Sequence, residues 1–475
     1  MGHNHNYGVN LSDNMICSLN PRTGQMIRKF HPSSSSDIRE VFKNANRIQK
    51  NWFSDTTKED RANLIRELGQ ICHRNINDAV EIMHSETGIP RGALAAACKS
   101  ALSGIDHYIS EYLASDDRDY SSTQTTRLND DIIIQFRPHG TVAHIGVWNF
   151  PFWQTLITAI PALLSGNAVV YKPSELSTMS GLKIAELIHE AGYPKELYAP
   201  LIGGAEVGKE MVRSSCDAIA FTGSIDTGRE IVRNAGIKPL ILELSGNDAA
   251  IVCEDADISQ AASGIAYGSF SRGGQICIRV KRVYVHESVA NEFIEELKNI
   301  ASNLSVEEDI GPLIREEARQ NVHRVVLDAL RKGSELIYGG NLIKGPGFFY
   351  EPTVLKYHDD SLEVVRKETF GPVCPVREVR SEEEAITLAN NSQYGLGATI
   401  WTRNIERGHM LAEQMEVGNV WINDCIRTLP GGEYFQGWKQ SSIPSSMSRL
   451  QMFMKKRTVV SNRSSELKKH WFQVR

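Results

Sequence analysis

The sequence TVAHIGVWNFP, residues 141–151, joins a short apolar run to a turn and a proline. Further runs rich in Val, Ile and Ala follow at 169–172, 198–202, 217–221 and 239–244. The segment 181–191, between two of these runs, has the apolar periodicity of an amphipathic helix. Short apolar strands that alternate with helices predict a parallel sheet with crossover helices, which is a nucleotide-binding architecture.

The sequence on either side of these runs predicts further elements. Helical patterns fill residues 37–115, ahead of the first run. After residue 246 a similar alternation predicts a second α/β domain. Its first helix, strand and helix are expected at 256–272, 279–285 and 288–301. The run 457–461 has a β-like composition, and we expect it to pair outside the main domains, either with a partner chain or with a distant segment for which 132–137 is the candidate.

The composition is that of a soluble globular protein, with 41% hydrophobic and 23% charged residues among 475. A net charge of −5 provides no general attraction to nucleic acid or anionic membranes, and we expect neither as a partner. The run 140–171 has no Lys, Arg, Asp or Glu, but its glycines and prolines favour a strand, a turn and a buried helix over a membrane span.

The eight cysteines have no paired spacing, and the N-terminus lacks the apolar run of an export signal. We therefore expect reduced thiols and a cytoplasmic location. His3 and His5 stand in a polar N-terminal tail, and no metal site is predicted there or elsewhere.

Polar residues that follow the apolar runs are candidates for a site, because parallel sheets bind ligands at the carboxyl ends of their strands. Asn149 is either a helix-capping or turn residue, or a donor to an oxyanion. Lys172 is either an exposed charge or, together with Glu175, a contact to a ribose. A carboxylate at that position favours NAD over NADP.

The loop FTGSIDTG, residues 221–228, lacks the Lys and Ser/Thr of an NTPase phosphate loop, and the chain has no G-x-G-x-x-G fingerprint. A helix that begins after Gly223 and Ser224 can still hold a diphosphate. Glu243 lies in an apolar run, where burial would make it a usable base. The alternatives are a buried glutamate paired with a cation and a glutamate on an exposed edge strand.

The segment GGQICI, residues 273–278, presents one cysteine after two glycines and between two isoleucines. Cys277 is either a nucleophile with apolar walls or a buried structural thiol.

Together these segments resemble the NAD(P)-dependent aldehyde dehydrogenase superfamily. The family's motifs occur in its order and at its separations between about residues 20 and 460, a specific combination of individually weak signals. They are Trp148-Asn149-Phe150-Pro151, Lys172-Pro173-Ser174-Glu175, Phe221-Thr222-Gly223-Ser224, Glu243-Leu244-Ser245-Gly246, Gly274-Gln275-Ile276-Cys277, Glu368-Thr369-Phe370-Gly371-Pro372 and Gly418-Asn419-Val420-Trp421-Ile422-Asn423.

The resemblance implies that the Cys277 thiolate attacks an aldehyde, and that loss of hydride to NAD leaves a thioester. It implies that Glu243 activates the water that hydrolyses this thioester, and that Asn149 and the Cys277 N–H form an oxyanion hole. NADP is the less favoured cofactor. The implied cofactor-binding residues are Gly146, Trp148, Lys172, Ser174, Glu175, Gly208, Phe221, Thr222, Gly223, Ser224, Leu244, Glu368 and Phe370.

The expected fold is α/β, with a Rossmann-like parallel-sheet cofactor domain, a second α/β catalytic domain and a small β oligomerisation arm. The cofactor domain is expected over 1–118 and 137–245, the catalytic domain over 246–445, and the arm over 119–136 and 446–475. The resemblance of the arm predicts a homodimer or a homotetramer.

Glu243 favours hydrolysis over acyl transfer to coenzyme A, because the CoA-acylating branch of the family lacks this glutamate. A CoA-acylating or reductive relative and a catalytically silent, nucleotide-binding paralogue are the alternatives. Retention of Cys277, Glu243 and Asn149 argues against a silent protein. The C-terminal region departs from the family, because the glutamate that serves some relatives as a possible proton relay has no counterpart between Tyr434 and Arg449.

The residues implied in the substrate pocket are Phe150, Trp153, Gln154, Ile157, Ile276, Ile278 and Phe435. This aromatic and aliphatic set predicts an apolar or aromatic aldehyde, although Trp153 is equally compatible with plain core packing. Arg272 and Arg427 are candidates for binding the carboxylate of a semialdehyde. We favour surface or interface positions for both arginines.

Overall fold

The structure, a computed structural model, describes residues 9–10, 15–114, 130–428, 435–443, 445 and 447–462. His3 and His5, and the parts of the predicted arm at 119–129 and 463–475, lie outside these residues.

The N-terminal part forms a small antiparallel sheet followed by five helices. The sheet comprises β1 (Val9–Asn10), β2 (Met15–Leu19) and β3 (Met26–Phe30). The helices are α1 (Ser35–Asp55), α2 (Lys58–Arg74), α3 (Ile76–Thr87), α4 (Arg91–Ser103) and α5 (Ile105–Ala114). Capping boxes of Ser34 with Asp37 and of Thr57 with Asp60 begin α1 and α2. The helical prediction for 37–115 is thus confirmed over the described residues.

The first large sheet is built from the runs identified in the sequence. Its chain order is β4 (Asp130–Pro138), β5 (Thr141–Ile145), α6 (Pro151–Leu164), β6 (Ala168–Lys172), α7 (Thr178–Glu190), β7 (Tyr198–Pro200), α8 (Ala205–Arg213), β8 (Ala218–Thr222), α9 (Ile225–Asn234) and β9 (Leu240–Glu243), of which β4 lies outside the sheet. The five sheet strands are parallel and lie in the order β7-β6-β5-β8-β9. The strand order therefore reverses between β5 and β8, which is where a doubly wound sheet opens a ligand crevice.

Helix α6 explains the uncharged run in the sequence. All of its 14 residues are buried, since it packs between the sheet and neighbouring helices. Pro151 occupies its first turn, where a missing N–H leaves no bond unmade. None of the described helices combines the length and the apolar character that a bilayer span requires.

The second large sheet follows residue 246. Its elements are β10 (Asp248–Val252), α10 (Ile258–Phe270), β11 (Val280–His286), α11 (Ala290–Asn303), α12 (Glu316–Arg331), β12 (Glu335–Tyr338), β13 (Thr353–Lys356), α13 (Glu363–Arg366), β14 (Val373–Val379), α14 (Glu382–Asn390), β15 (Tyr394–Gly395), β16 (Gly397–Trp401), α15 (Ile405–Ala412) and β17 (Asn419–Ile422). Seven strands lie in the order β12-β13-β14-β11-β10-β16-β17, and only β12 runs antiparallel to its neighbour among these pairs. The α/β fold class is confirmed by this pair of sheets.

Two short pairings complete the described chain. β18 (Trp438–Lys439) pairs with β15, and β19 (Met454–Asn462) pairs antiparallel with β4 over nine residues. Arg457 lies opposite Gln135, so the predicted pairing of 457–461 with 132–137 is confirmed.

Candidate active site

A cleft of about 1770 Å³ opens at the carboxyl ends of the first sheet and reaches the loop that carries Cys277. Pockets for single small ligands commonly measure about 300–1,000 Å³, so this cleft has room for a dinucleotide and a second small molecule. It is lined by all thirteen predicted cofactor-binding residues and by Cys277, Glu243 and Asn149.

One end of the cleft carries a buried ion pair at the end of β6. The Lys172 ammonium donates hydrogen bonds of 2.9 Å to the carbonyls of Pro173 and Gly203 and lies 3.6 Å from a carboxylate oxygen of Glu175. Burial lowers the pKa of Lys172, and the charge of Glu175 opposes that shift. Lys172 is only 4% exposed, so its interpretation as a solvent-exposed charge is wrong.

The N-terminus of α9 lines the middle of the cleft. Ser224 caps this helix by accepting a hydrogen bond of 3.2 Å from the Thr227 N–H. The Gly223 N–H is bonded at 3.0 Å to the Glu243 carbonyl, which joins this turn to the end of β9. Unpaired N–H groups and the helix dipole make such a terminus attractive to a phosphate.

The third portion of the cleft lies beside Glu368. The Phe370 ring packs edge-on against Trp148, with ring centroids 5.7 Å apart. Glu368 lies 3.2 Å from the Lys281 ammonium, which is buried in β11. Lys281 is not among the residues predicted from the sequence, although three basic residues in an otherwise apolar strand are a visible signal.

The loop that presents the thiol has an unusual backbone. Between α10 and Cys277, the residues Arg272, Gly273 and Gly274 have φ angles of 56°, 66° and 66°. A Cβ on Gly274 would lie 2.2 Å from the carbonyl oxygen of Gly371. The left-handed conformation and this close approach both require glycine at position 274.

Cys277 is partly exposed, between the buried side chains of Ile276 and Ile278. Burial raises the pKa of its thiol, and the Glu243 carboxylate raises that pKa further. Lys281 opposes these effects, and its ammonium donates hydrogen bonds to the carbonyls of Ile276 and Cys277. The thiol at rest is therefore held protonated in a loop whose backbone is tied to a buried cation.

Asn149 lies between the turn after β5 and the loop that carries Cys277. Its Nδ2 donates a 2.9 Å hydrogen bond to the Gln275 carbonyl, and the residue is 9% exposed. The helix-capping interpretation is wrong, because Phe150 occupies the N-cap of α6. A carboxamide has two N–H bonds, so Asn149 has a second donor in the cleft that it lines together with Cys277.

Glu243 ends β9 as a buried, paired carboxylate. Its Oε2 accepts hydrogen bonds of 3.1 Å from both Gln154 Nε2 and Arg449 Nη2. The exposed-edge alternative is therefore wrong, and the alternative of a buried glutamate paired with a cation matches the geometry. Arg449 was missed, since nothing in the local sequence relates it to a residue 206 positions away.

The predicted substrate residues are mostly brought together around the thiol. Phe150, Trp153, Gln154, Ile276, Ile278 and Phe435 line the cleft, and the two isoleucines pack with Phe435 and Leu396. The prediction for Ile157 is wrong. Its side chain is 1% exposed in the core around α6 and is absent from the cleft lining, because α6 is enclosed on every side.

The two candidate arginines have different environments. Arg272 is 8% exposed, which corrects its assignment to the surface or an interface. Its Nη2 donates a 2.8 Å hydrogen bond to the Ala93 carbonyl, its guanidinium lies 3.9 Å from the Phe150 ring centroid, and its Nη1 has no hydrogen-bond partner. Burial lowers the pKa of Arg272 to about 10. The Arg427 side chain is 79% exposed and lies 3.6 Å from Asp424, as expected for a surface residue.

Comparison with known proteins identifies the family. The model of the aldehyde dehydrogenase family matches residues 9–459. Betaine aldehyde dehydrogenase 2 from Rhizobium meliloti (strain 1021) is 32% identical over 444 residues, covering 92% of this chain and 91% of that protein. The NADP/NAD-dependent aldehyde dehydrogenase PuuC from Escherichia coli (strain K12) is 33% identical over 460 residues, covering 93% and 91%.

A solved structure agrees with the sequence comparisons. Betaine aldehyde dehydrogenase from Staphylococcus aureus, in complex with NAD+, superposes with a TM-score of 0.91 at 26% identity, covering 97% of this chain and 94% of that one. The family match over nearly the whole chain, the shared fold and the thiol beside a nucleotide-sized cleft show that this chain belongs to the aldehyde dehydrogenase family.

Proposed function

We propose that this aldehyde dehydrogenase oxidises an apolar or aromatic aldehyde to a free carboxylic acid with NAD, through a thioester on Cys277. The observation that supports this proposal most is that Cys277, Asn149 and Glu243 line one cleft, the other end of which suits a dinucleotide. The presence of Glu243 favours hydrolysis over acyl transfer to coenzyme A, because hydrolysis needs a base that activates water.

The chain's own residues fit the proposed chemistry. The Cys277 thiol releases its proton to solvent, its sulfur forms a bond to the aldehyde carbon, and the carbonyl oxygen becomes an oxyanion beside Asn149 Nδ2 and the Cys277 N–H. When bound, NAD+ supplies the hydride acceptor. Cys277 then carries the acyl group as a thioester, and Glu243 removes a proton from the water that cleaves it.

The residues at the nucleotide end support NAD over NADP. The Glu175 carboxylate, 3.6 Å from Lys172, would accept hydrogen bonds from ribose hydroxyls and repel a 2′-phosphate. The capped N-terminus of α9 supplies donors for a diphosphate, and Glu368 lies where a second ribose would bind.

Two substitutions test the reaction sequence. Cys277→Ala should abolish NADH formation, because no thioester can form, while titration calorimetry still detects NAD binding. Glu243→Gln should leave a pre-steady-state burst of NADH followed by turnover slowed on the order of a hundredfold, since only the hydrolytic step loses its base. Unchanged NADH formation in Cys277→Ala would refute this function, and a product formed only with coenzyme A would establish the acylating alternative.

The substrate proposal is supported by the cleft wall. The relatives named above are called betaine aldehyde dehydrogenase and NADP/NAD-dependent aldehyde dehydrogenase, so their names do not define one substrate. Near the thiol the wall is formed by Phe150, Trp153 and Phe435 together with two isoleucines. A cationic aldehyde is disfavoured, because the Arg272 guanidinium already covers the Phe150 ring and adds a like charge.

A semialdehyde is the second candidate, and one observation favours it. Arg272 lines the same cleft, and the Nη1 of its buried guanidinium has no hydrogen-bond partner. A carboxylate near that nitrogen would satisfy the unmade hydrogen bond and neutralise the charge.

A substrate panel separates the two candidates. We expect kcat/KM to be highest for aliphatic and aromatic aldehydes, lower for succinate semialdehyde and lowest for betaine aldehyde. Arg272→Met should change kcat/KM for the apolar substrates by no more than a few-fold, because their binding depends on contact area. A preference for succinate semialdehyde that disappears in Arg272→Met would replace the apolar proposal with the semialdehyde one.

We also propose a homodimer or homotetramer held together partly by the β4–β19 ribbon. This ribbon has no third strand among the described residues, so its edges offer unpaired backbone groups. The division into a cofactor domain ending at residue 245 and a catalytic domain after it stays a prediction, as does a cytoplasmic location, which eight free cysteines support.

A further inference from the structure

Arg449 reaches from the C-terminal segment into the centre of the protein. Its residue is 6% exposed, in the turn before β19. Its Nε donates a 3.0 Å hydrogen bond to the Ile157 carbonyl on α6, and its Nη2 donates one of 3.1 Å to Glu243 Oε2. The guanidinium is therefore fixed at two points, one of which is the proposed general base.

Both donors that reach Glu243 use the same carboxylate oxygen. Gln154 Nε2 donates to Oε2 at 3.1 Å and also donates to the Thr222 hydroxyl at 2.6 Å, so it too is held in place. In the described part of the chain, no side chain donates a hydrogen bond to Oε1 of Glu243. One oxygen thus anchors the carboxylate, and the other keeps its acceptor capacity for water.

The positive charge of Arg449 partners the buried negative charge of Glu243. The Glu243 carboxylate raises the pKa of the Cys277 thiol, which shows that the two groups repel each other when both are charged. His144, near Arg449, does not supply a second positive charge, because burial and the charge of Arg449 together lower the pKa of His144 to about 3. A buried carboxylate without a partner cation would bear a large desolvation cost.

We propose that Arg449 is a positioning residue for deacylation: it anchors the Glu243 carboxylate by Oε2, with Gln154 as a neutral second anchor, so that Oε1 receives the proton of the hydrolytic water. This inference rests on the proposed hydrolytic function. It also accounts for the departure of the C-terminal loop from the family, because the segment that lacks the relay glutamate instead supplies a cation to the base.

The step balances without an additional reactant. Glu243 Oε1 takes one proton from water, and the remaining hydroxide forms a C–O bond to the thioester carbon. The C–S bond then breaks with its electron pair on Cys277 Sγ. The proton held by Glu243 passes to that sulfur, so that the carboxylic acid, the free thiol and the ionised glutamate result.

The test compares full-length Arg449→Met with wild type by stopped-flow NADH formation on one rapidly oxidised aldehyde. We expect the rate of the burst phase, which reports hydride loss before hydrolysis, to stay within about threefold of the wild-type rate. Steady-state turnover should fall on the order of tenfold to a hundredfold, the size expected when a general base loses its placement. Arg449→Lys, which keeps the charge, should recover part of the loss, and Gln154→Met should slow turnover less than Arg449→Met.

Arg39→Met is the matched control. The Arg39 side chain is 72% exposed on α1, lies 3.9 Å from Glu210 and does not line the cleft, so its loss should change neither phase. Thermal unfolding of each variant measures folding separately. If Arg449→Met does not fold, the lysine and Gln154→Met variants still test the inference. A burst rate and a turnover that fall by the same factor would assign Arg449 a purely structural role.

A double-mutant cycle separates this inference from the proposed function. Arg449→Met should have no further effect on turnover in a Glu243→Gln background, because both act on one proton transfer. An undiminished effect of Arg449→Met in that background would overturn the positioning role alone. A Glu243→Gln enzyme that turns over like wild type would instead overturn the hydrolytic function on which the inference rests.

Discussion

Cys277 and Glu243 have opposite requirements, although they lie close together. The thiol becomes a nucleophile only as a thiolate, which burial and the neighbouring carboxylate both disfavour. In the proposed reaction the glutamate is needed later, when Cys277 carries a neutral acyl group and no longer repels it. The pair therefore suits two successive steps better than one, and Lys281 partly offsets the repulsion in the first.

This repulsion predicts the pH dependence of thiol reactivity. Because the pKa of Cys277 is raised, alkylation of the free enzyme by iodoacetamide should be slow at pH 7 and should accelerate up to pH 10. Glu243→Gln removes the negative neighbour and so lowers the thiol pKa, which should speed alkylation about threefold to tenfold at any pH in this range. Intact-protein mass spectrometry measures the rate.

Glu175→Gln is the control for this measurement, because Glu175 lies in the same cleft and is not among the groups that shift the pKa of Cys277. Slower alkylation in Glu243→Gln than in wild type would mean that the glutamate activates the thiol at rest.

At the scale of elements, the sequence predicted most of what depends on local pattern. The run 141–147 contains β5, the helix expected near 256–272 is α10, and the terminal strand pairs where its composition indicated. Apolar periodicity predicts these helices and strands correctly because each of them buries its apolar face. The motif residues also met in one cleft, since parallel strands present their carboxyl ends at one edge.

The partners of buried charges could not be predicted in this way. Lys172 and Arg279 are buried, and carbonyls of distant segments, those of Gly203 and Val373, accept hydrogen bonds from them. Arg449 and Glu243 are 206 positions apart, and their pairing depends on how the C-terminal segment crosses α6. Ile157 fits the helical position of a pocket residue, yet the enclosure of α6 turns it into core. Such outcomes depend on packing between elements, which no single periodicity describes.

At the scale of the whole molecule, the β4–β19 ribbon is the part that we expect to contact a second copy of the chain. Val460 is 59% exposed and lies opposite Ile132. Wild-type protein should have twice or four times the chain mass of 52.9 kDa in light scattering. Val460→Asp should shift that mass toward a single chain, because a buried unpaired carboxylate opposes association by several kcal/mol.

Ser461→Asp is the control, since successive side chains of a strand face opposite sides and this change adds the same charge on the other face. A wild-type mass of one chain would contradict the predicted oligomer, and an unchanged mass in Val460→Asp would exclude this face from its interface.

The left-handed loop before Cys277 has an evolutionary consequence. A side chain at Gly274 would collide with the Gly371 carbonyl, and a side chain at Gly371 would lie 2.4 Å from a methyl group of Val322 on α12. The two contacts have different consequences, because the first involves a backbone carbonyl and the second a side chain. No side-chain change elsewhere relieves the first, so Gly274 should be retained among homologues, whereas a side chain at 371 should occur only with a smaller residue at 322.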